Sequence, residues 1–201
     1  KGWDIVQKNQ QKISNLVMDM LTFSKEREPD LVPSDINAVA ADIVELMQGR
    51  AQDLGVELAF KPQEGIPRLK FDPDGLHRAI LNVVTNAIDA CDCVDNGCVV
   101  VSTELAKDTD MLQVVVSDNG RGIPTEDIDK MFGLFVSRKG GRGTGLGLPV
   151  SKKILREHGG DIRVESDVGR GSRFILEWPA LPVDTNVTAR QSEFTSTSEA
   201  E

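Results

Sequence analysis

Two asparagines on one predicted helix are the first residues whose types and spacing could do chemistry. Asn82 and Asn86 stand four residues apart in LNVVTNAIDA, and Asp89 follows about one turn later. Residues four apart share a helix face, and asparagine is a mediocre helix former, so two in an apolar helix need a reason. Both amides could bond solvent or neighbouring backbone. Alternatively, the carbonyl oxygen of Asn86 suits Mg²⁺, a hard ion that accepts neutral oxygen donors together with phosphate oxygens.

A second candidate is the segment DNGRGIP, which directly follows the apolar run LQVVVS. Asp118 would end a buried strand there, and Gly120 and Gly122 would let the backbone approach a flat ring. Asp-Asn-Gly on its own is a common turn. A carboxylate in this position can also accept a hydrogen bond from the exocyclic amine of adenine.

The third candidate is GGRGTGLGLPVSKKI, residues 140–154, where five glycines fall within the first eight residues. Glycine is costly to order, so this concentration before a helix favours a backbone that lies against an anionic ligand. Amides at a helix N-terminus bind phosphate, and Arg138, Lys139 and Arg142 add positive charge. The spacing matches neither a Walker loop nor a Rossmann fingerprint. A flexible basic surface loop is the alternative interpretation.

The elements that must position these segments alternate irregularly along the chain. CVVVSTEL and MLQVVVSD predict adjacent antiparallel strands across a polar turn, and DIRVES and SRFILEW predict a closing hairpin. One helix is expected to start at Ser34 as its N-cap and to end at Gly55, and the asparagine helix to start at Asp72-Pro73. This order favours an α/β sandwich with helices on one sheet face over a doubly wound sheet.

Both ends of the chain are predicted to lie outside this sandwich. Residues 3–26 predict a helix with a coiled-coil seam, which needs a partner helix; the seam consists of Val6, Ile13, Leu16, Met20 and Phe23. From Pro182 onward the sequence is polar, acidic and rich in Ser and Thr, which is typical of a tail.

Composition narrows the function classes. The net charge of −9 argues against nucleic acid as a partner, and no apolar run approaches the roughly 20 residues of a membrane span. We expect the domain to lie on the cytoplasmic side, and a soluble or a membrane-attached full-length protein both remain open. Cys91, Cys93 and Cys98 lack the paired spacing and the nearby histidine of a metal site, so we expect reduced thiols.

Five stretches in order resemble the N, G1, F, G2 and G3 boxes of the sensor histidine kinase ATP-binding domain: LNVVTNAIDA, DNGRGIP, MFGLFVSRK, GRGTGLGL and DVGRGSRF. This domain belongs to the GHKL superfamily, with type II topoisomerases, a heat-shock chaperone and mismatch-repair ATPases. The resemblance covers about residues 33–180. It implies the Bergerat fold, a two-layer α/β sandwich, preceded in residues 1–30 by the second dimerisation helix and followed by a tail at 182–201.

The resemblance also implies ATP and Mg²⁺ as cofactors and a role for each matching residue. Asn86 would ligate Mg²⁺, Asn82 would support the phosphates, and Lys139 would reach toward them, which makes these three the catalytic candidates. Asp118 would accept from the adenine amine. The full set implied to bind nucleotide is Asn86, Asp89, Asp118, Gly120, Gly122, Ile123, Phe132, Phe135, Arg138, Lys139, Gly143, Thr144, Gly145, Leu146, Gly147 and Leu148.

The implied activity is transfer of the γ-phosphoryl group to a histidine on an upstream helix, then to an aspartate of a response regulator, in a homodimer. Neither His77 nor His158 has the acceptor's sequence context, so the chain is expected to begin just after the acceptor helix. The ATPase relatives carry Glu where Asn82 stands, and an amide cannot act as general base. The F box departs from the common form at Gly133 and Leu134. A degenerate nucleotide sensor without phosphotransfer is therefore an alternative function. A Ser/Thr kinase of the anti-sigma type is a third possibility.

Overall fold

The computed structural model describes residues 28–92, 94–106, 108–136 and 144–183, together with Trp3, Gln10, Val17 and Met20. These residues form four α-helices, namely α1 (Ile36–Asp53), α2 (Pro73–Ala90), α3 (Thr125–Ile128) and α4 (Gly147–Glu157), and a 3₁₀ turn, Lys130–Phe132. The strands are β1 (Val32–Ser34), β2 (Glu57–Lys61), β3 (Leu69–Phe71), β4 (Cys98–Ala106), β5 (Met111–Asp118), β6 (Asp161–Asp167), β7 (Gly171–Pro179) and β8 (Leu181–Pro182).

The main sheet has five strands in the order β2-β4-β5-β7-β6. Its strands pair antiparallel except β2 and β4, which are parallel. The predicted pairs β4–β5 and β6–β7 are confirmed, with Val101 opposite Val116 and Val164 opposite Phe174. A second, three-stranded sheet has the order β1-β3-β8.

The core lies between the long helices and one face of the five-stranded sheet. Alternate residues of β4 and β5 are buried there, among them Val99, Val101, Val114 and Val116. Helix α2 contributes a continuous buried stripe: Leu76, Ala79, Ile80, Val83, Val84, Ala87 and Ile88. Strand alternation on one side and helical spacing on the other produce two layers. The sandwich prediction is therefore confirmed.

Two predicted boundaries are wrong by a residue or two. Helix α1 is capped by Asp35, whose Oδ1 accepts hydrogen bonds from the amides of Asn37 and Ala38. Ser34 belongs instead to β1, where its hydroxyl donates to the carbonyl of Val32. At the other end, Pro182 is part of β8 and pairs with Leu69, so the ordered sheet reaches into the predicted tail.

Helix α2 starts as predicted. Asp72 is the N-cap and accepts from the amide of Gly75, and Pro73 occupies the first turn. The ring of His158, at the C-terminal end of α4, accepts the amide proton of Asp72 at 3.1 Å. Its Nδ1 lies 2.8 Å from the carbonyl of Ile154. A neutral imidazole with the proton on Nδ1 satisfies both contacts and joins the two helices.

The seam prediction falls mostly outside the described residues. Of the seam, Met20 is described; it is helical and half-exposed, and Trp3, Gln10 and Val17 are also helical. Across the described part of the chain, no helix combines the length and apolar character that a membrane span needs.

Candidate functional site

Asp118 is the last residue of β5 and is 8% exposed. Its Oδ1 accepts a hydrogen bond from the amide of Gly120 at 2.9 Å. Its Oδ2 is buried and has no hydrogen-bond partner among the described residues. Burial raises the pKa of this carboxyl above its usual value, while the amides of Gly120 and Ser172 and the charge of Arg121 oppose the shift. A buried acceptor without a partner is unfavourable unless a ligand supplies the donor.

The backbone after Asp118 is held between two other elements. A Cβ on Gly120 would lie 2.6 Å from the carbonyl oxygen of Ala90, the last residue of α2, and the amide of Arg121 donates to that oxygen. Gly122 has φ +68°, and a Cβ there would lie 2.0 Å from the carbonyl oxygen of Asp167. Only glycine fits either position. The amide of Ile123, a predicted binding residue, donates to the hydroxyl of Ser166 at 2.8 Å.

Asn119 fixes the start of this segment, and sequence reasoning did not single it out. Its Oδ1 accepts from the amide of Cys98 at 2.7 Å, and its Nδ2 donates to the carbonyl of Asn96 at 2.9 Å. The thiol of Cys91 lies 3.6 Å from the same Oδ1. Asn119 therefore joins the end of α2, the start of β4 and the segment that carries Asp118. The DNG triplet carries this signal, because an asparagine side chain in a turn commonly hydrogen-bonds to nearby backbone.

The polar side chains of α2 have three different environments. Asn82 donates from Nδ2 to the carbonyl of Gly147 at 3.1 Å. Asn86 is half-buried one turn further along. Asp89 forms an ion pair with Arg50 of α1, with Nη2 and Oδ1 2.6 Å apart. Arg50 therefore brings a cation beside the predicted binding residues of α2, which the sequence did not indicate.

The glycine-rich stretch is described from Thr144 onward, and its last glycines lie where the third motif predicted. Gly147 is the first residue of α4, and Leu146 before it is 2% exposed. Gly145 has φ +67°, and a Cβ there would lie 2.5 Å from the backbone of Phe135. The hydroxyl of Thr144 accepts from the amide of Leu146 at 3.3 Å. The start of the helix is thus a closely packed backbone segment in which Gly145 leaves no room for a side chain.

The two phenylalanines of the F segment differ. Phe132 packs against the core, and Nζ of Lys152 lies 4.5 Å from its ring centre. Phe135 is 63% exposed and has φ +61°, an unusual conformation for a bulky side chain. Its amide donates to the carbonyl of Gly145 at 3.1 Å. Phe132 is held by its ring, whereas Phe135 is held by its backbone.

Three predicted residues, Arg138, Lys139 and Gly143, lie outside the described residues, and their roles stay predictions. Leu148, the second residue of α4, is half-buried against the core.

Among the described residues, no group of three His, Cys, Asp or Glu side chains could hold a metal ion. Cys91 and Cys98 are free thiols, and burial and then the charge of Asp118 raise the pKa of Cys91 to about 11.

Helix α2 links the two halves of the site. Asn82, Asn86 and Ala90 follow at intervals of four residues, so they lie on one side of the helix. Asn82 contacts the start of α4, and Ala90 contacts the segment after Asp118. Eight residues of helix span about 12 Å. The predicted Mg²⁺ ligand therefore lies midway between the predicted phosphate and adenine sides.

Comparison with known proteins identifies the family of this chain. Residues 71–182 match the family model for the histidine kinase-, DNA gyrase B- and HSP90-like ATPase. The sensor histidine kinase ZraS of Escherichia coli (strain K12) is 31% identical over 189 residues, which cover 94% of this chain and 38% of ZraS. The chain therefore spans well under half the length of that relative.

Two solved structures are also similar. Full-length ShkA in complex with AMPPNP matches with a TM-score of 0.79 at 27% identity, covering 90% of this chain and 38% of ShkA. Histidine kinase ThkA in complex with the response regulator protein TrrA matches with a TM-score of 0.72 at 26% identity, covering 89% of this chain and 50% of the other. These neighbours confirm the predicted fold. The chain therefore belongs to the histidine kinase-, DNA gyrase B- and HSP90-like ATPase family, and the matched residues 71–182 include both Asp118 and the glycines at the start of α4.

Proposed function

We propose that this chain is the ATP-binding catalytic domain of a sensor histidine kinase. It binds Mg-ATP and transfers the γ-phosphoryl group to a histidine on a helix outside these 201 residues, and the phosphoryl group then passes to an aspartate of a response regulator. In this proposal, residues 1–30 belong to the dimerisation domain of a homodimer and residues 33–180 form the catalytic domain. The polar residues after β8 are a tail. The ZraS similarity and the ThkA–TrrA complex support the partners.

The observation that carries the proposal is the partnerless Oδ2 of Asp118 beside the closely packed glycine backbone of the same segment. The exocyclic amine of adenine is a donor that satisfies this oxygen, and the close-packed backbone at Gly120 leaves no side chain in its way. The similarity to ShkA, whose structure is a complex with AMPPNP, supports nucleotide binding by this fold.

For Mg²⁺, the fit rests on the donor chemistry of α2. The described residues offer no cluster of carboxylate, imidazole and thiolate ligands, so the ion would take its oxygens mainly from phosphates and water, as Mg²⁺ usually does. The amide oxygen of Asn86 would add one neutral ligand. When bound, the ion neutralises phosphate charge during transfer.

Transfer to a bound acceptor is favoured over hydrolysis. Asn82 occupies the position from which a general base would activate water, and its amide has no titratable proton in the working pH range. Nor do the chain's own histidines suit the acceptor role. Both ring nitrogens of the buried His158 contact backbone groups, and Nε2 of His77 lies 2.9 Å from a carboxylate oxygen of Asp42.

The test uses a longer chain that includes the upstream sequence, incubated with Mg²⁺ and ATP labelled at the γ-phosphate. We expect an acid-labile label in the wild type and its loss in Asn86→Ala, with an unchanged circular dichroism spectrum. Asp108→Ala, in the exposed turn between β4 and β5, is the control and should label normally. An acid-stable label on Ser or Thr would contradict the proposal.

The alternative is a degenerate nucleotide sensor that binds ATP without phosphotransfer. Phe135 favours it to a degree, because its ring is exposed and its backbone has positive φ next to the altered Gly133 and Leu134. The same labelling experiment separates the two functions: ATP binding without any label in the longer chain indicates the sensor.

A further inference from the structure

A buried polar cluster joins α2 to α4, one turn into α4 from its N-terminus. At its centre is Ser151, which is fully buried. Its hydroxyl oxygen lies 3.1 Å from the carbonyl of Ala79 on α2 and 2.9 Å from the carbonyl of Gly147 on its own helix. Nδ2 of Asn82 lies 3.3 Å from the same hydroxyl. We call Ser151, Asn82 and the two carbonyls the interhelix clasp.

The chemistry of these groups fixes their orientation. A hydroxyl has one proton, so Ser151 donates to one of the two carbonyls and accepts from Asn82. The carbonyl of Gly147 can only accept, so the NH₂ group of Asn82 must face it, at 3.1 Å. The amide oxygen of Asn82 takes part in neither of these hydrogen bonds. A hydroxyl and an amide held in this way, in a buried setting, specify one arrangement of the two helices.

The clasp acts on the first residue of α4. The carbonyl of Gly147 is held by Asn82, and a Cβ on Gly147 would lie 3.4 Å from Cγ of Asn82. Gly145 and Leu146 lead directly into this residue, and their backbone is the predicted phosphate-binding segment. Asn86, the predicted Mg²⁺ ligand, is one turn from Asn82 on the same helix face.

We propose that Ser151 and Asn82 are positioning residues that set the distance between the phosphate-binding glycines and Asn86. Asn82 then acts on the phosphates through the backbone of Gly147, and Ser151 holds Asn82 in the orientation this needs. The inference rests on the proposed ATP-binding function and assigns a role to Ser151, a buried hydroxyl that does not itself touch the nucleotide.

The adenine side does not depend on the clasp. Asp118 and Gly120 are held by Ala90, two helical turns beyond Asn82, and by the hairpin of β6 and β7. None of the hydrogen bonds of Ser151 reaches these residues. Loss of the clasp should therefore weaken binding of the triphosphate and leave binding of the nucleoside nearly unchanged.

The test compares two ligands on this chain: ATP with Mg²⁺ by calorimetry, and adenosine by NMR titration. For Ser151→Ala we expect the Kd for ATP to rise about tenfold, because ATP must then fix the start of α4, which one buried hydrogen bond otherwise holds in place before binding. The Kd for adenosine should change less than twofold. Ser34→Ala is the matched control, because that buried hydroxyl bonds only the local carbonyl of Val32. It should leave the ratio of the two Kd values unchanged.

A second variant keeps the test decisive if Ser151→Ala fails to fold. Asn82→Asp keeps the shape of the side chain but places a carboxylate oxygen against the carbonyl oxygen of Gly147. It should therefore also raise the Kd for ATP relative to the Kd for adenosine. Since both residues act through one cluster, the combined variant should lose less affinity than the sum of the single losses. A wild type that binds no ATP refutes the proposed function. If the wild type binds ATP but both variants keep the wild-type ratio of the two Kd values, the positioning role of the clasp is refuted and the proposed function stands. The same holds if both variants weaken the two ligands equally.

Discussion

Replacing Asp118 by Asn should separate the affinity for ATP from the stability of the fold. In the variant, the amide oxygen can still accept from Gly120, as Oδ1 does now at 2.9 Å. The NH₂ group then takes the place of the buried Oδ2, which has no partner in the described part of the chain. This group is a donor and would face the donor amine of adenine.

The expected magnitudes follow from these contacts. A hydrogen bond to a charged group contributes about 1.5–3 kcal/mol, so its loss raises the Kd for ATP about 10- to 150-fold. The unliganded fold loses a buried charge and gains a neutral group with the same lack of a partner. The free energy of unfolding should stay equal or rise by about 1 kcal/mol, a shift of about 2–4 °C in Tm for a domain of this size.

The pH dependence of stability and of ATP affinity provides a second test of the role of Asp118. The pKa of Asp118 is raised by burial in the folded state, so the folded state binds a proton more tightly than the unfolded state. Wild-type stability therefore falls as the pH rises from the ordinary aspartate value through the raised pKa. Above that pKa, the ionised carboxylate lowers the stability of the wild type, and Asp118→Asn should lack this penalty. ATP affinity of the wild type should fall when the pH drops through the same range.

Calorimetry with ATP and thermal unfolding between pH 4 and 8 measure both effects. The control is Asp108→Asn, which removes an equal charge from an exposed turn and should change neither quantity. If Asp118→Asn bound ATP as the wild type does, the carboxylate would not contact adenine. If it unfolded several degrees earlier at neutral pH, the burial of Asp118 would be stabilising and the reasoning from its partnerless oxygen would be wrong.

Two further predictions concern the segments around the site. Gly122→Ala should cost about 2–5 kcal/mol of stability, because a Cβ would lie 2.0 Å from a backbone oxygen at φ +68°, whereas Gly169→Ala, with φ +78° and open space, should cost about 1–2 kcal/mol. Urea unfolding of both variants measures this, and equal losses would contradict it. Iodoacetamide at pH 8 should modify the partly buried Cys98 well before the fully buried Cys91, whose pKa is raised to about 11. Peptide mass spectrometry over time gives the order, and faster reaction of Cys91 would show that its environment is misjudged.

The sequence predicted the parts of this molecule that depend on local patterns. The β-branched runs of β4 and β5, the Asp72-Pro73 start of α2 and the hairpin at Gly169 follow from spacing and turn chemistry. The position of Asp118 at the end of a buried strand was also readable, because the apolar run stops at that residue. Family resemblance then indicated how these segments meet.

Contacts between distant segments could not be predicted in this way. Nothing near Arg50 in the sequence indicates that it pairs with Asp89, 39 residues later. Ser151 looks like an ordinary helix residue until α2 packs against it, 72 residues away from Ala79. The cap of α1 was misplaced because Ser34 and Asp35 are both good N-caps, and the pairing of β1 with β3 decides between them by drawing Ser34 into a strand.

The geometry of α2 constrains how related sequences can vary. A helix is stiff along its axis, so inserting a single residue between Asn82 and Ala90 would rotate one end by about 100° relative to the other. Loops at either end tolerate changes in length far better. Homologues are therefore expected to keep this eight-residue interval free of insertions, even where the neighbouring turns differ in size.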